Sequence, residues 1–389
     1  MLTEIRTMLT GTIIPFWQRL ADMQNGGYYG YVGYDLKPDK TADKGCILNS
    51  RILWFFSKAY TLLREPELLE NARHAYDFMV NHCLDREYGG IYWSVRYDGK
   101  PADDTKHTYN QAFAIYALAA YYECSRDEKA LTLSRELFSL VEEKLRAPHG
   151  YGEAFNRQLQ PKSNDKLSEN GIIAAYTMNT LLHVFEAYAG LHEVAPTPET
   201  AERIREILGL FQSKVYNASL RRQEVFFDDE MRSLINLHSY GHDIEASWLL
   251  DWGTSLLGDK ALSASIGAIT SSMAQNIYQT ALHNRSLWNE GENGIPDKNR
   301  IWWVQAEGMV GFLNQYQKTK DRKYLIAMQE LWQYLKESFL DPRPGSEWFW
   351  DVNDEGLPAS RKPIVEPWKC PYHNGRMCFE LIRRGVEEQ

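Results

Sequence analysis

Histidines set among apolar helical positions are the residues of this 389-residue chain best suited to moving protons. The string HSYGHDIEASWLL carries His242, with Glu245 three residues on and Trp248 one further turn along the same helical face. A carboxylate at that spacing can hold an imidazole nitrogen, fix its tautomer and raise its basicity. YTMNTLLHVFEAY places Asn179 and His183 four apart, hence on one face, and WKCPYHNGRMCFE sets Trp368 before a helix and His373 at its start, with Asn374 and Arg376 adjacent. Imidazole titrates near pH 6.5, so such groups can act as acid and base at neutral pH. Taken singly, His183 reads more readily as a satisfied core residue, and His373 also reads as a simple cap. Their convergence is what points to chemistry.

Other polar and aromatic side chains interrupt the apolar pattern at comparable places. Arg51, beside Asn49 and just before LWFF, needs a polar cavity, or else a core carboxylate or a snorkelling path. Tyr109 and Phe113 lie one turn apart in KHTYNQAF, Phe113 fitting the core as readily as a sugar ring, and RIWWVQAEG puts Trp303 and Glu307 on one face. A metal reading exists, since His238 and His242 are four apart with Glu245 nearby. Gly241 and the loop character of HSYG weaken it, no HExxH or cysteine ligand supports it, and no metal is expected.

The elements that must position these groups follow from a degenerate repeat. Aromatic segments with Gly or acidic residues recur at intervals of 60 to 72 residues around Tyr29, Tyr92, Phe155, Phe227, Trp288 and Trp348. Between them, apolar periodicity predicts one helix set over 48–64, 108–125, 176–191, 243–257, 302–318 and 375–386, and a second over 2–22, 67–83, 127–145, 198–214, 260–281 and 321–339. The first set is apolar nearly all round, as in YNQAFAIYALAAYY, and suits an inner ring; the second has charged faces and suits an outer one. Twelve alternating helices describe an all-α (α/α)6 barrel, with an open solenoid as the alternative. A single domain over 1–389 is expected. Every long loop feeds the start of an inner helix, so six helix starts, with unpaired N–H groups favouring an anion, converge on one mouth.

Composition narrows the function. The 43 basic and 52 acidic residues are interspersed, with net charge −9, which argues against nucleic acid as a partner. Five scattered cysteines, never in a CxxC pair, suggest a reduced cytoplasmic setting. The N-terminus does not read as a signal peptide, and no window approaches the roughly 18 apolar residues of a membrane span, so a soluble chain away from membranes is expected. The 12 Trp and 23 Tyr are mostly core, but such a surplus also suits a sugar site. No GxGxxG or P-loop signature is present, and no cofactor is expected.

The strings ADKGCILNSRILWFFSKAY, KHTYNQAFAIYAL, TMNTLLHVFEAY, HSYGHDIEASWL, RIWWVQAE and PWKCPYHNGRMCFE, in order from about residue 2 to residue 386, resemble the cellobiose 2-epimerases of the N-acylglucosamine 2-epimerase superfamily. The resemblance implies an (α/α)6 barrel that epimerises C2 of the reducing-end glucose of a β-1,4-linked disaccharide such as cellobiose or lactose, with neither metal nor nucleotide. By matching motif, His373 and His242 would be the acid/base pair, and His183 would assist ring opening and closure. Arg51 and Asn179 would hold open-chain oxygens, and Glu245 would support the histidines. Trp303, Glu307, Trp368, Tyr109 and Trp248 would line the sugar site, with Phe113 beside them. A monomer is expected. The alternatives are a mannose isomerase, an N-acylglucosamine 2-epimerase and, from another class, an (α/α)6 glycoside hydrolase built on Glu245 and Glu307.

Overall fold

The computed structural model describes residues 1–164, 166–167 and 170–386. Its first six helices are α1 (Leu2–Met8, carried through a π turn, Leu9–Ile13, into Ile14–Gln18), α2 (Cys46–Leu63), α3 (Pro66–Phe78), α4 (Thr108–Ser125), α5 (Glu128–Leu140) and α6 (Met178–Val194). The next six are α7 (Pro198–Leu210), α8 (Tyr240–Ser255), α9 (Lys260–Thr280), α10 (Trp302–Thr319), α11 (Arg322–Tyr334) and α12 (Tyr372–Arg384). Four odd-numbered helices, α3, α5, α7 and α11, close on a five-residue π turn.

Even-numbered helices form the inner ring. Each packs on the next, and α12 packs back on α2, so the ring is closed into an (α/α)6 barrel rather than left open as a solenoid. Their all-round apolar character has this cause: α4 is buried without a break from Thr108 to Tyr121. Outer helices bury one stripe, as α3 does with Leu68, Ala72, Ala75 and Tyr76. Glycines let the inner helices close up: a side chain at Gly253 would meet Phe185, and at Gly311 would meet Ile244.

At one end, inner helices turn into outer ones through Arg64, Arg126 and Lys320, each left-handed with φ near 60°. Left-handed backbone costs a non-glycine residue about 1 kcal/mol. Each of these cations lies over the ring of the tyrosine four residues earlier (Tyr60, Tyr122 and Tyr316), which offsets part of that cost.

At the other end, short antiparallel rungs tie the long loops into a circle. The residues leading into each inner helix pair with the aromatic loop of the following unit: Lys44–Gly45 with Ser94–Val95, Lys106–His107 with Ala154–Phe155, and Tyr176–Thr177 with Phe226–Phe227. Leu237–Ser239 then pairs with Glu290–Glu292, Arg300–Ile301 with Asp351–Val352, and Val365 with Val32, which closes the circle. Amide side chains on the inner helices clamp the same loops, Gln111 on the backbone of Ile91 (2.7 and 2.9 Å) and Gln305 on that of Leu287 (2.8 and 2.8 Å).

Predicted boundaries shift by a few residues, three of them for visible physical reasons. α8 begins at Tyr240, not 243, because Gly241 is helical: a side chain there would run into the Trp303 indole. α12 begins at Tyr372, not 375, its HNG string packing inside the helix with Gly375 against Phe55. α1 stops at Gln18, not 22, since the Asp22 carboxylate takes the amides of Gln24 and Asn25 (3.0 Å each) and turns the chain. No described helix is long and apolar enough to cross a membrane.

Candidate active site

Inner helices that all start at one mouth place their side chains in layers. First turns carry Tyr109 (α4), Asn179 (α6), His242 (α8), Trp303 (α10) and His373 (α12), with Trp368 just ahead of α12. One turn deeper lie Arg51 (α2), Phe113 (α4), His183 (α6), Glu245 (α8), Glu307 (α10) and Arg376 (α12). Glu186 of α6 and Trp248 of α8 form the floor.

Arg376 is the hub. Its Nη1 donates to Glu186 Oε1 (2.5 Å) and to the Tyr372 hydroxyl, and its Nη2 donates to Glu307 Oε1 (2.7 Å) and to Glu245 Oε1. Tyr372 in turn donates to Glu186 Oε1, and Trp248 Nε1 donates to Glu307 Oε2 (3.0 Å). Three carboxyl groups therefore share one guanidinium, and none of the four side chains is more than 1% exposed.

The imidazoles hang on this hub. His373 Nδ1 lies 2.8 Å from Glu307 Oε1, and His183 Nδ1 lies 2.8 Å from Glu186 Oε2. His242 Nδ1 instead meets the Ser239 hydroxyl at 2.6 Å. Trp303 contacts both His242 and His373, its ring 4.8 Å from one and 5.4 Å from the other. His183 is enclosed by Tyr109 (5.0 Å) and Phe113 (4.8 Å), and Tyr372 touches His373 at 4.8 Å. Arg51 Nη2 donates to the Tyr109 hydroxyl (2.8 Å), and its guanidinium lies 4.2 Å from the centre of the Phe113 ring. Arg51 Nε and Asn179 Oδ1 are buried without a hydrogen-bond partner. Trp368 contacts Tyr109 at 5.9 Å and Trp93 at 5.8 Å.

Burial and neighbouring charge set the protonation states. Burial pushes His242 down to about 3, with His183 adding to the effect. His373 sits well below the ordinary histidine value, first through burial and then through Arg376. Burial lowers His183 too, against the pull of Glu186. All three rings are thus neutral at pH 7. Burial alone would raise Glu186, but Arg376 and His183 outweigh it and hold the carboxyl at about 2. Glu245 goes the other way, pushed up to about 8 by burial and by Glu307, and burial raises Glu307 as well. A neutral ring whose Nδ1–H is held by a carboxylate keeps Nε2 as its basic nitrogen, as a proton-transfer site requires.

All twelve residues singled out in the sequence lie in these layers or at their rim, but one expectation is corrected. Glu245 does not hold His242: Ser239 does, and Glu245 turns to Arg376 while lying 3.9 Å from His373 Nδ1. His238 and His242 do not share a helix, since His238 is on a strand and pairs with Asp243 (2.9 Å). Ligand atoms of Glu245, Glu307 and His373 do come within 4.8 Å of one another. Arg376 Nη2 bonds both carboxylates, so the cation of that cluster is the arginine. Sequence reasoning missed Glu186, Tyr372 and Ser239, and named Arg376 only as a neighbour. Glu186 had a signal: it follows His183 at the same three-residue spacing that drew attention to Glu245.

Fold and site together define an (α/α)6-barrel protein with an acid–base cluster at the mouth. Residues 27–374 match the N-acylglucosamine 2-epimerase (GlcNAc 2-epimerase) family. A cellobiose 2-epimerase of Ruminococcus albus is 48% identical over 387 residues, covering 100% of both chains. A sugar epimerase structure from a ruminal bacterium superposes with a TM-score of 0.98 at 48% identity over 100% of each chain, and a cellobiose 2-epimerase structure from Bacillus thermoamylovorans with 0.95 at 44% over 99% of each. The chain belongs to the N-acylglucosamine 2-epimerase family.

Proposed function

We propose that this chain is an enzyme that inverts C2 of the reducing-end glucose of a β-1,4-linked disaccharide, turning cellobiose into glucosylmannose and lactose into epilactose, as a monomeric single domain. The five cysteines are free, which supports a reducing compartment, the cytoplasm. The full-length relatives support the substrate class.

Inversion at C2 starts from the open-chain aldehyde, because the C1 carbonyl acidifies the C2 hydrogen. His183 moves the proton between ring oxygen and C1 hydroxyl as the ring opens. One of His373 and His242 then takes the C2 hydrogen, leaving an enediolate, and the other returns a proton to C2 from the opposite face. Each well-placed transfer contributes about 10² to 10⁴ in rate. Arg51 and Asn179, with buried polar atoms unpartnered, suit the open-chain oxygens and the developing negative charge. The single observation that carries the reading is the pair of neutral imidazoles, His373 and His242, both packed against the Trp303 ring.

Trp368, backed by Trp93, extends the aromatic surface beyond the imidazoles and favours a substrate with a second ring over free mannose or an N-acylhexosamine. A hydrolase reading fares worse: Glu245 and Glu307 take hydrogen bonds from the same nitrogen of Arg376, so they stand on one side rather than across a scissile bond. Incubating lactose in D2O and following C2 by NMR tests the proposal. Deuterium at C2 with epilactose accumulating is the expected result. Free glucose, or unchanged sugar with C2 hydrogen retained, would refute it.

A further inference from the structure

The carboxylates behind the two carboxylate-backed histidines carry their donors in opposite arrangements. Glu186 Oε1 receives two donors, Tyr372 and Arg376, whereas its Oε2 receives His183 Nδ1 alone. On Glu307 the crowded oxygen is the one facing the histidine: Oε1 receives both His373 Nδ1 and Arg376 Nη2, and Oε2 receives only Trp248 Nε1. Arginine offers no acceptor, and the Tyr372 oxygen already accepts from Arg376, so both groups must donate to Glu186. We propose that Glu186 is a positioning residue that fixes His183 as the Nδ1–H tautomer, with Tyr372 and Arg376 locking the carboxylate from behind so that Nε2 is left as the working nitrogen.

An amide in place of the carboxylate makes the proposal testable, because it has one accepting end and one donating end. In Glu186→Gln the accepting end stays on Tyr372 and Arg376, since leaving two buried donors unpaired costs more than leaving one. The NH2 then faces His183, which can accept only by carrying its own proton on Nε2. The same rule gives the opposite result in Glu307→Gln. There the oxygen stays on His373 and Arg376, the NH2 faces Trp248, and the His373 tautomer does not change.

The effect on rate rests on the reading of His183 as the proton carrier in ring opening; the tautomer itself does not. The experiment is imidazole ¹⁵N NMR of the histidine-labelled protein, with the two rings assigned from His183→Gln and His373→Gln. In the wild type, His183 is expected to carry its proton on Nδ1. In Glu186→Gln that proton moves to Nε2 while His373 is unaffected, and in Glu307→Gln neither ring changes. Inverting the tautomer of a working imidazole lowers kcat by about 10² to 10⁴, with KM on cellobiose within about threefold. A wild-type His183 protonated on Nε2, or a tautomer unmoved by Glu186→Gln, overturns the proposal. A moved tautomer with unchanged kcat supports it and instead ends the ring-opening role of His183. Should Glu186→Gln fail to fold, the wild-type spectrum still decides. Tyr372→Phe, which keeps Arg376 on Oε1, is then expected to leave the His183 tautomer in place, and a flip there would count against the lock.

Discussion

Two kinds of buried charge occupy the same end of the barrel, and they are built on opposite principles. Beneath the loops, Lys44 pairs with Asp22 (2.7 Å) and Lys369 with Glu347 (2.8 Å), one cation to one anion, all four side chains no more than 1% exposed. Further donors and acceptors there also find partners: Lys44 reaches the Gly26 carbonyl, and Asp22 takes two backbone amides. At the mouth, three carboxyl groups share Arg376, and Glu245 Oε2, Arg376 Nε and Arg51 Nε are buried without hydrogen-bond partners. A balanced pair is what a buried charge needs in order to be tolerated. An unbalanced, unsaturated cluster costs stability and holds groups ready for something that enters. The difference teaches that buried charge marks function here only where its bookkeeping fails to close.

The largest expected break in that comparison comes at the imidazoles. His373→Ala and His242→Ala should each lower C2 hydrogen exchange on lactose in D2O by about 10² to 10⁴ while leaving the folded state intact. Near wild-type exchange in either variant removes that residue from the acid/base pair.

The next effect lies on the balanced side. Lys44→Met strands the Asp22 carboxylate in a buried site, and breaking such a pair from one side costs about 3–5 kcal/mol. Denaturant unfolding should show a loss of that size, with kcat of the folded enzyme at low temperature within about threefold of wild type. A large fall in kcat with stability unchanged would erase the distinction between the two regions.

The same distinction governs what could be read in advance. Helix pairs were legible because inner helices buried on every side and outer helices buried on one stripe leave different periodicities in the chain. The clamps and the hub were not, because their partners are remote: Arg376 meets Glu186 across 190 residues, and Lys369 meets Glu347 from the next loop. Local spacing pointed Glu245 at His242, yet Arg376, arriving from the last helix, draws that carboxylate more strongly than an imidazole already held by Ser239. The early starts of α8 and α12 escaped for a related reason. Gly241 and Gly375 look like loop residues until the Trp303 and Phe55 rings packed against them are seen.

The smallest expected effect is a near-constancy in acid. His242 and His373, pushed well below the ordinary imidazole value, stay neutral at pH 6, so epimerisation should vary by less than about twofold between pH 7 and 6, whereas an unperturbed histidine base of pKa near 6.5 would be about three-quarters protonated there. Stability should behave differently. Below about 6.5 the unfolded chain takes up protons on these histidines that the folded one refuses, so unfolding becomes easier as pH falls even while the surviving folded enzyme works at full rate. On the alkaline side the sign reverses in origin. Glu245, raised to about 8, binds a proton that the unfolded chain has already lost, and its contribution to stability disappears as pH rises through that value. Its ionisation also adds a negative charge beside Glu307, so a fall in rate is expected near pH 8, and Glu245→Gln, which mimics the protonated carboxyl, should abolish that alkaline fall. Rate and thermal-unfolding profiles measured side by side from pH 5 to 9 check both limbs. An acid limb in the rate near 6.5 would place the mouth's histidines in ordinary solvent and make them no different from charge anywhere else on the protein.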